Sequence, residues 1–297
     1  MSDRLVQDPI SPSTAEGYEL LRGGCGRYEL RNSALYELTG EDRKAWLQGQ
    51  ITNDMRNLQP GGSMAFCLCS PTGQTEAVGD LWSVDDRYLI RMHRAASSAF
   101  QHRLDHMIIM EDVVARDLTP AYRLVCLQGP YATAQLREHL ELPHLDASVS
   151  QFKGVEVICL RSNRTGLGGW DLLVPNEALE SAFAPIDERA FNIARLEAGI
   201  PRFGEDIDAR VLPPELGPWF ESKHVSYQKG CYTGQEVLMR IHSRGHTNRT
   251  WMALISDQPM AAGNRVSHRE REDAGTVTSS EFSPQFGFIA GAMIRRE

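Results

Sequence analysis

Lys229-Gly230-Cys231-Tyr232-Thr233-Gly234-Gln235-Glu236 brings a thiol, two glycines and several polar or charged groups into one short run. A segment built only to fill a core does not have this mixture. Glycine at 230 and 234 permits backbone angles or close approaches that a side chain would block, so the run reads as a shaped loop presenting Cys231. On an extended stretch Lys229 and Cys231 share a face, where an ammonium favours the thiolate. The functional reading is a reactive or ligand-contacting Cys231 activated by Lys229. The alternative is a small buried cysteine in a tight turn.

Outward from this run, Arg240 and Arg244-Gly245 follow it, and the whole spacing resembles the signature of the YgfZ/Iba57 family. Members of that family are folate-binding relatives of the glycine-cleavage aminomethyltransferase (T-protein) and assist maturation or repair of iron–sulfur proteins. The resemblance extends to Arg195-Leu196-Glu197-Ala198-Gly199-Ile200-Pro201 and to Leu127-Gln128-Gly129-Pro130. It continues in Gly275-Thr276-Val277-Thr278-Ser279 with Ser283-Pro284, so that it covers the chain from about Gly40 onward.

The resemblance implies an α+β, multi-domain GcvT/YgfZ-like fold around a central channel, closed by a small C-terminal β-barrel. Residues 1–118 would form an N-terminal α+β domain, 119–243 a second α+β domain carrying the signature, and 244–297 the barrel. The implied cofactor is tetrahydrofolate or a folate derivative. Glu197 would recognise the pterin, since a carboxylate accepts two parallel hydrogen bonds from an N–C–N donor edge. Arg240 and Arg244 would clamp the carboxylates of the glutamate tail, and Tyr232, Gln235 and Glu236 complete the cofactor-binding set. Read without the resemblance, Glu197 is an exposed helix glutamate paired with an arginine, and 240–249 is a solvated linker.

The transferases of this group use an acidic doublet beside the folate nitrogen that accepts the one-carbon unit. Only Asp80 remains of it in Gly73-Gln74-Thr75-Glu76-Ala77-Val78-Gly79-Asp80-Leu81, and His93 stands where the family has asparagine. With the added Cys231, these departures favour an accessory factor for iron–sulfur proteins, affecting tRNA modification indirectly, over glycine cleavage. Its partners would be folate and iron–sulfur client or cluster-assembly proteins. Two alternatives stand beside this reading: a folate-dependent aminomethyltransferase or demethylating methyltransferase using Asp80, and a non-catalytic interaction scaffold.

Composition sets further limits. A chain of 297 residues with 41% hydrophobic content has enough length and apolar side chains for several cores. No apolar run reaches the roughly 18 residues that span a bilayer, and Met1-Ser2-Asp3-Arg4 does not open a signal peptide. A cytoplasmic protein without membrane contact is expected. Cysteines at 25, 67, 69, 126, 159 and 231 form neither a disulfide framework nor paired metal knuckles. A formal charge of −8 argues against direct binding of nucleic acid through its phosphates.

Periodicity predicts helices from about Gly40 to Ile51, Ala96 to Met110, Pro130 to Leu140 and, capped by Asp187, through Glu197. Strands are predicted over 87–93, 122–127, 154–160, 170–174, 250–255 and 288–294. Strands and helices mixed in this order point to α+β layers. The first 20 or so residues, with Pro9, Ser11 and Pro12, read as a loosely held arm.

Other candidate motifs are weaker. Cys67 and Cys69 lack a second Cys/His pair nearby, and His102 and His106 lack the glutamate of an H-E-x-x-H site, so no metal site is expected. Gly23-Gly24-Cys25-Gly26 and Gly166-Leu167-Gly168-Gly169 do not form the G-x-G-x-x-G turn of a dinucleotide site. No G-x-S-x-G elbow anchors a serine triad.

Overall fold

The computed structural model describes residues 10–175, 182–269 and 271–296. The first nine residues of the predicted arm lie outside the described residues. Its remainder is a helix, α1 (Pro12–Gly23), whose first turn is capped by Ser11 Oγ accepting from the Thr14 amide at 3.1 Å. Tyr18 and Leu21 are buried on its inner face, so packing overrides the turn-forming composition that suggested an arm.

Three antiparallel sheets follow. The first has the order β3 (Ser63–Cys69), β4 (Thr75–Val84), β5 (Arg87–His93), β2 (Ser33–Thr39), β6 (Val114–Asp117). Its inner face packs under α2 (Arg43–Gln50) and α3 (Ser97–Met107), with Trp46, Leu47, Phe66, Leu81, Ile90 and Phe100 in one core. The predicted helix from Gly40 begins at Arg43 instead, because Gly40 has φ +99° and its absent side chain leaves room for the Asp112 carbonyl.

The second sheet has the order β1 (Gly26–Glu29), β7 (Arg123–Gln128), β10 (Gly169–Val174), β9 (Val155–Arg161), β8 (Ala147–Phe152). Helix α4 (Ala132–Arg137) covers it, and Trp170, Leu172 and Leu127 fill its core. Strand β1 precedes every strand of the first sheet in sequence yet pairs with β7, so Gly26–Glu29 belongs to the second sheet and the two sheets interleave along the chain. Helix α5 (Glu188–Glu197) begins at Asp187, whose side chain accepts from the Ala190 amide at 2.8 Å, as predicted.

The third sheet has the order β11 (Arg249–Ser256), β14 (Gly287–Arg295), β13 (Arg271–Ser283), β12 (Arg265–His268). Among the described residues β11 and β12 do not pair, so this unit is a small open sheet and not the predicted barrel. The physical reason is that its apolar face has another cover: Trp251 and Ile289 pack with Ile193 and Leu196 of α5. Helices α6 (Pro218–His224) and α7 (Gln235–Arg244) lie between the second and third sheets in sequence. No helix among the described residues is long and apolar enough to cross a membrane.

Candidate functional site

Alternation along β4 puts Ala77 and Leu81 in the core and turns Val78 and Asp80 to the opposite face. There Asp80 stands directly across the ladder from Arg91, whose Nη1 lies 3.8 Å from Asp80 Oδ2 and whose Nε donates to Ser33 Oγ at 3.0 Å. From the second sheet, Arg164 Nη2 donates to the same Asp80 oxygen at 3.0 Å. Burial alone would raise the Asp80 carboxyl. Arg164 and Arg91, with Lys223 and His224, outweigh that effect and hold it below the ordinary carboxylate range. Burial, reinforced by Arg164, pushes Arg91 down to about 10.

Asp80 faces a cavity walled by aromatic rings. Tyr28 and Phe191 stack with centroids 4.8 Å apart, and Phe203 lies beside His93. Phe220 stacks on His224 at 3.8 Å, and Trp219, 53% exposed, stands at the edge. His224 Nδ1 donates to the Phe220 carbonyl at 2.8 Å, which leaves Nε2 as an acceptor, and burial pushes its pKa down to about 4. His93 is likewise lowered, by burial and then by Arg91 and Arg202.

Most cations around the cavity are already engaged. Arg195 pairs with Asp206 and Glu205, and Arg202 with Glu188 and Glu205. Lys223 differs: among the described residues its ammonium has no hydrogen bond or ion pair, and it sits 5.4 Å from the Trp219 ring. A second cavity, lined by Trp82, Thr133, Arg161 and Ser162, meets the first at Asp80, Asn163, Arg164 and Lys223. An aromatic-walled site with a fixed carboxylate and an ammonium that makes no ion pair among the described residues suits a planar heteroaromatic ligand that carries N–H donors and an anionic group.

Of the residues singled out in the sequence, Asp80 and His93 line this cavity; Glu197, Lys229, Cys231, Tyr232, Gln235, Glu236, Arg240 and Arg244 line neither cavity. Glu188, Phe191 and Arg195 form the cavity face of α5, and Glu197 points elsewhere. It accepts from Tyr18 Oη at 2.9 Å and Ser283 Oγ at 2.5 Å, with Arg22 at 3.5 Å. It is therefore a buried junction of α1, α5 and the third sheet. Burial and Glu197 together push Tyr18 up to about 12.

The signature loop runs from α6 to α7. Lys229 is 6% exposed and its Nζ donates to the Ile51 and Asn53 carbonyls, both at 2.7 Å. Burial lowers its pKa to about 8, with Asp54 opposing. Cys231 is exposed, so the predicted shared face with Lys229 is not formed. Lys229 instead lies 5.0 Å from the ring of Tyr232, which is buried with Cys67 and Cys69 and whose hydroxyl, among the described residues, has no hydrogen-bond partner. Gly234, at φ +87°, caps α7; a Cβ there would lie 2.6 Å from the Ser70 carbonyl oxygen. Arg240 pairs with Glu236 at 2.9 Å on the exposed side of α7, and Arg244 is exposed at its end.

The sequence reading missed Arg91, Arg164, Asp171, Trp219, Lys223 and His224. One signal was available: Asp171 interrupts the apolar strand Trp170-Asp171-Leu172-Leu173-Val174, and a carboxylate in a core strand calls for a buried cation. The other positions come together only through tertiary packing.

These features define an α+β protein of antiparallel sheets whose cavity lies where two of the sheets meet helices α5 and α6. The same fold occurs in the crystal structure of glycine cleavage system aminomethyltransferase T from Bartonella henselae, with a TM-score of 0.83 over 95% of this chain and 81% of that one, at 21% identity. The chain belongs to the GCVT N-terminal domain family, whose pattern matches residues 6–221. Similar chains include an aminomethyltransferase from Exiguobacterium sibiricum, 26% identical over 96% of this chain and 82% of the relative. Another, from Bacillus licheniformis, is 24% identical over 96% of this chain and 83% of the relative. The signature loop lies beyond the family match.

Proposed function

We propose that this chain binds a reduced folate in the aromatic-walled cavity and serves as an accessory factor for iron–sulfur proteins. The observation that carries the folate reading is the cavity itself, where stacked rings, the Asp80 carboxylate and the Lys223 ammonium beside Trp219 converge. The pterin would lie against the ring-lined wall with an N–H toward Asp80, and Lys223 would meet a tail carboxylate. The family and the aminomethyltransferase relatives support the same ligand class. Arg240 and Arg244, on the outer side of α7, are left for a partner surface.

Two features favour an accessory role over one-carbon transfer. Asp80 shares its charge with Arg164 and Arg91, which makes it a poor base and a poor partner for positive charge developing on a folate nitrogen. Cys231 is exposed, in a loop whose sequence resembles the YgfZ/Iba57 signature, where a thiol can meet another protein. A transferase remains the second reading, favoured by relatives that align along 96% of the chain.

Activities of several iron–sulfur enzymes in a deletion strain, rescued with wild type or Cys231→Ala, test the proposal. Loss restored only by wild type is the expected result. Undiminished activities, with turnover of an aminomethyl donor by the purified protein and tetrahydrofolate, would replace it with the transferase.

A further inference from the structure

Arg164 is held from behind by a buried network of the second sheet. Its amide donates to Gln128 Oε1 at 2.8 Å, and its Nε reaches both oxygens of Asp171 at 2.9 and 3.0 Å. Asp171 has no exposed surface and also accepts from Ser162 Oγ at 2.9 Å, and Ser162 in turn accepts from Gln128 Nε2 at 3.1 Å. Gly169 makes this cluster fit, since a Cβ there would lie 2.5 Å from Gln128 Nε2. The guanidinium is thus held by a bidentate carboxylate behind it and has one outlet, Asp80, in front. Asp80 and Arg164 line both cavities, so their pair stands where the two spaces meet.

We propose that Arg164, aimed by Asp171 and Gln128, is the positioning residue that keeps Asp80 a carboxylate turned toward the ligand at the junction of the two cavities. Burial of Asp80 works against its charge, and Arg164 is its nearest cation, with Arg91 0.8 Å more distant (3.8 against 3.0 Å). Without Arg164 the burial effect gains weight and the Asp80 carboxyl moves upward, toward holding its proton as pH falls. The ligand N–H then meets a neutral carboxyl, a weaker acceptor than the carboxylate. Other groups facing Asp80 do not take the place of Arg164: Arg91 stays charged but lies 3.8 Å away with its Nε given to Ser33, and on α6 Lys223 makes no ion pair with it among the described residues while His224 is held neutral by burial. Arg195, Arg202 and Glu188, from the α5 side, are paired with one another or with Glu205 and Asp206.

The inference rests on the folate reading and is tested by calorimetric titration with (6S)-5-formyltetrahydrofolate from pH 5.5 to 8. Wild type and Arg164→Lys are expected to bind with nearly constant affinity. Arg164→Gln should match them at pH 8 within a few fold and weaken about tenfold toward pH 5.5, as one proton competes with binding over its titration range. Arg164→Gln leaves Asp171 buried without its counter-charge, so Asp171→Asn/Arg164→Gln is titrated as well and should show the same profile. Asp80→Asn should bind weakly and flatly; any slope it retains belongs to His93 or His224 and is subtracted. A flat profile in both Arg164→Gln variants overturns the positioning role while leaving the folate reading intact. No binding by wild type at millimolar ligand overturns the reading and the inference together.

Discussion

At the scale of single residues, Lys229 acts as a fastener. Its ammonium spans two carbonyls that end α2, Ile51 and Asn53, and so ties the signature loop to the first sheet's core. Lys229→Met leaves both carbonyls without their donor, at about 1–3 kcal/mol for each buried unpaired group. Urea unfolding should therefore show a loss of about 2–6 kcal/mol; a loss below the noise of the measurement would mean that water replaces the amine. Cys231, being exposed, should tolerate alanine with an unchanged melting temperature. Its variant then separates chemistry from folding in the deletion-strain assay. His224 adds a pH dependence. Its folded pKa of about 4 lies below the unfolded value near 6.5, so the unfolded chain binds the proton first as pH falls. Stability attributable to neutral His224 is complete above about pH 6.5 and declines toward pH 4, by up to about 3 kcal/mol. Denaturant midpoints at pH 7.5 and 5 should differ, and the difference should shrink in His224→Phe, which keeps the stack on Phe220. An equal acid loss in that variant would assign the effect to other groups.

At the scale of elements, the signature is a loop that must turn sharply into a helix while touching the β3–β4 turn. Gly234 carries both demands: a left-handed backbone and a Cβ position 2.6 Å from the Ser70 carbonyl oxygen and 3.0 Å from Cys69 Cβ. Gly234→Ala combines left-handed strain with a backbone clash, and a destabilisation of about 2–4 kcal/mol follows. Proteolysis between α6 and α7 should accelerate in this variant, and unaltered cleavage would show that the turn yields easily. That glycine was legible in the sequence as a shaped-loop residue, and so were strands β5 and β10 and helix α5, whose periodicity and Asp187 cap agree with their burial. Helices α1 and α7 were not, because Ser11-Pro12-Ser13 and Gly234 look like turn chemistry until the caps they supply are seen. The candidate site was legible only at Asp80 and His93. Arg164 and Lys223 come from loops and helices distant in sequence, and no local period marks which face they turn inward. Glu197 was drawn to the cavity by its motif, yet its position on α5 belongs to the opposite side from Glu188 and Arg195.

At the scale of the whole molecule, the third sheet is held by two buried carboxylates rather than by closure on itself. Asp206 Oδ1 accepts from Trp251 Nε1 at 3.2 Å, Thr278 Oγ1 at 2.5 Å and Ser279 Oγ at 2.6 Å. Its Oδ2 accepts from Arg195 and from the Arg202 amide, so one side chain joins α5, the loop after it and two strands. Glu197 does the same from the last turn of α5, linking Tyr18 and Ser283. Because Arg195 and Arg202 also border the cavity, the sheet's docking and the ligand site share a support. The two carboxylates nevertheless separate experimentally. Glu197→Ala removes contacts remote from the cavity, and should lower stability by about 2–3 kcal/mol while leaving 5-formyltetrahydrofolate affinity within threefold. Asp206→Asn strips Arg195 of its buried partner, and should weaken both stability and binding because Arg195 lines the cavity wall. Melting curves and ligand titrations on the two variants give the comparison. A large affinity loss in Glu197→Ala with an unchanged melting temperature would return that glutamate to the pterin and remove it from the sheet's anchorage.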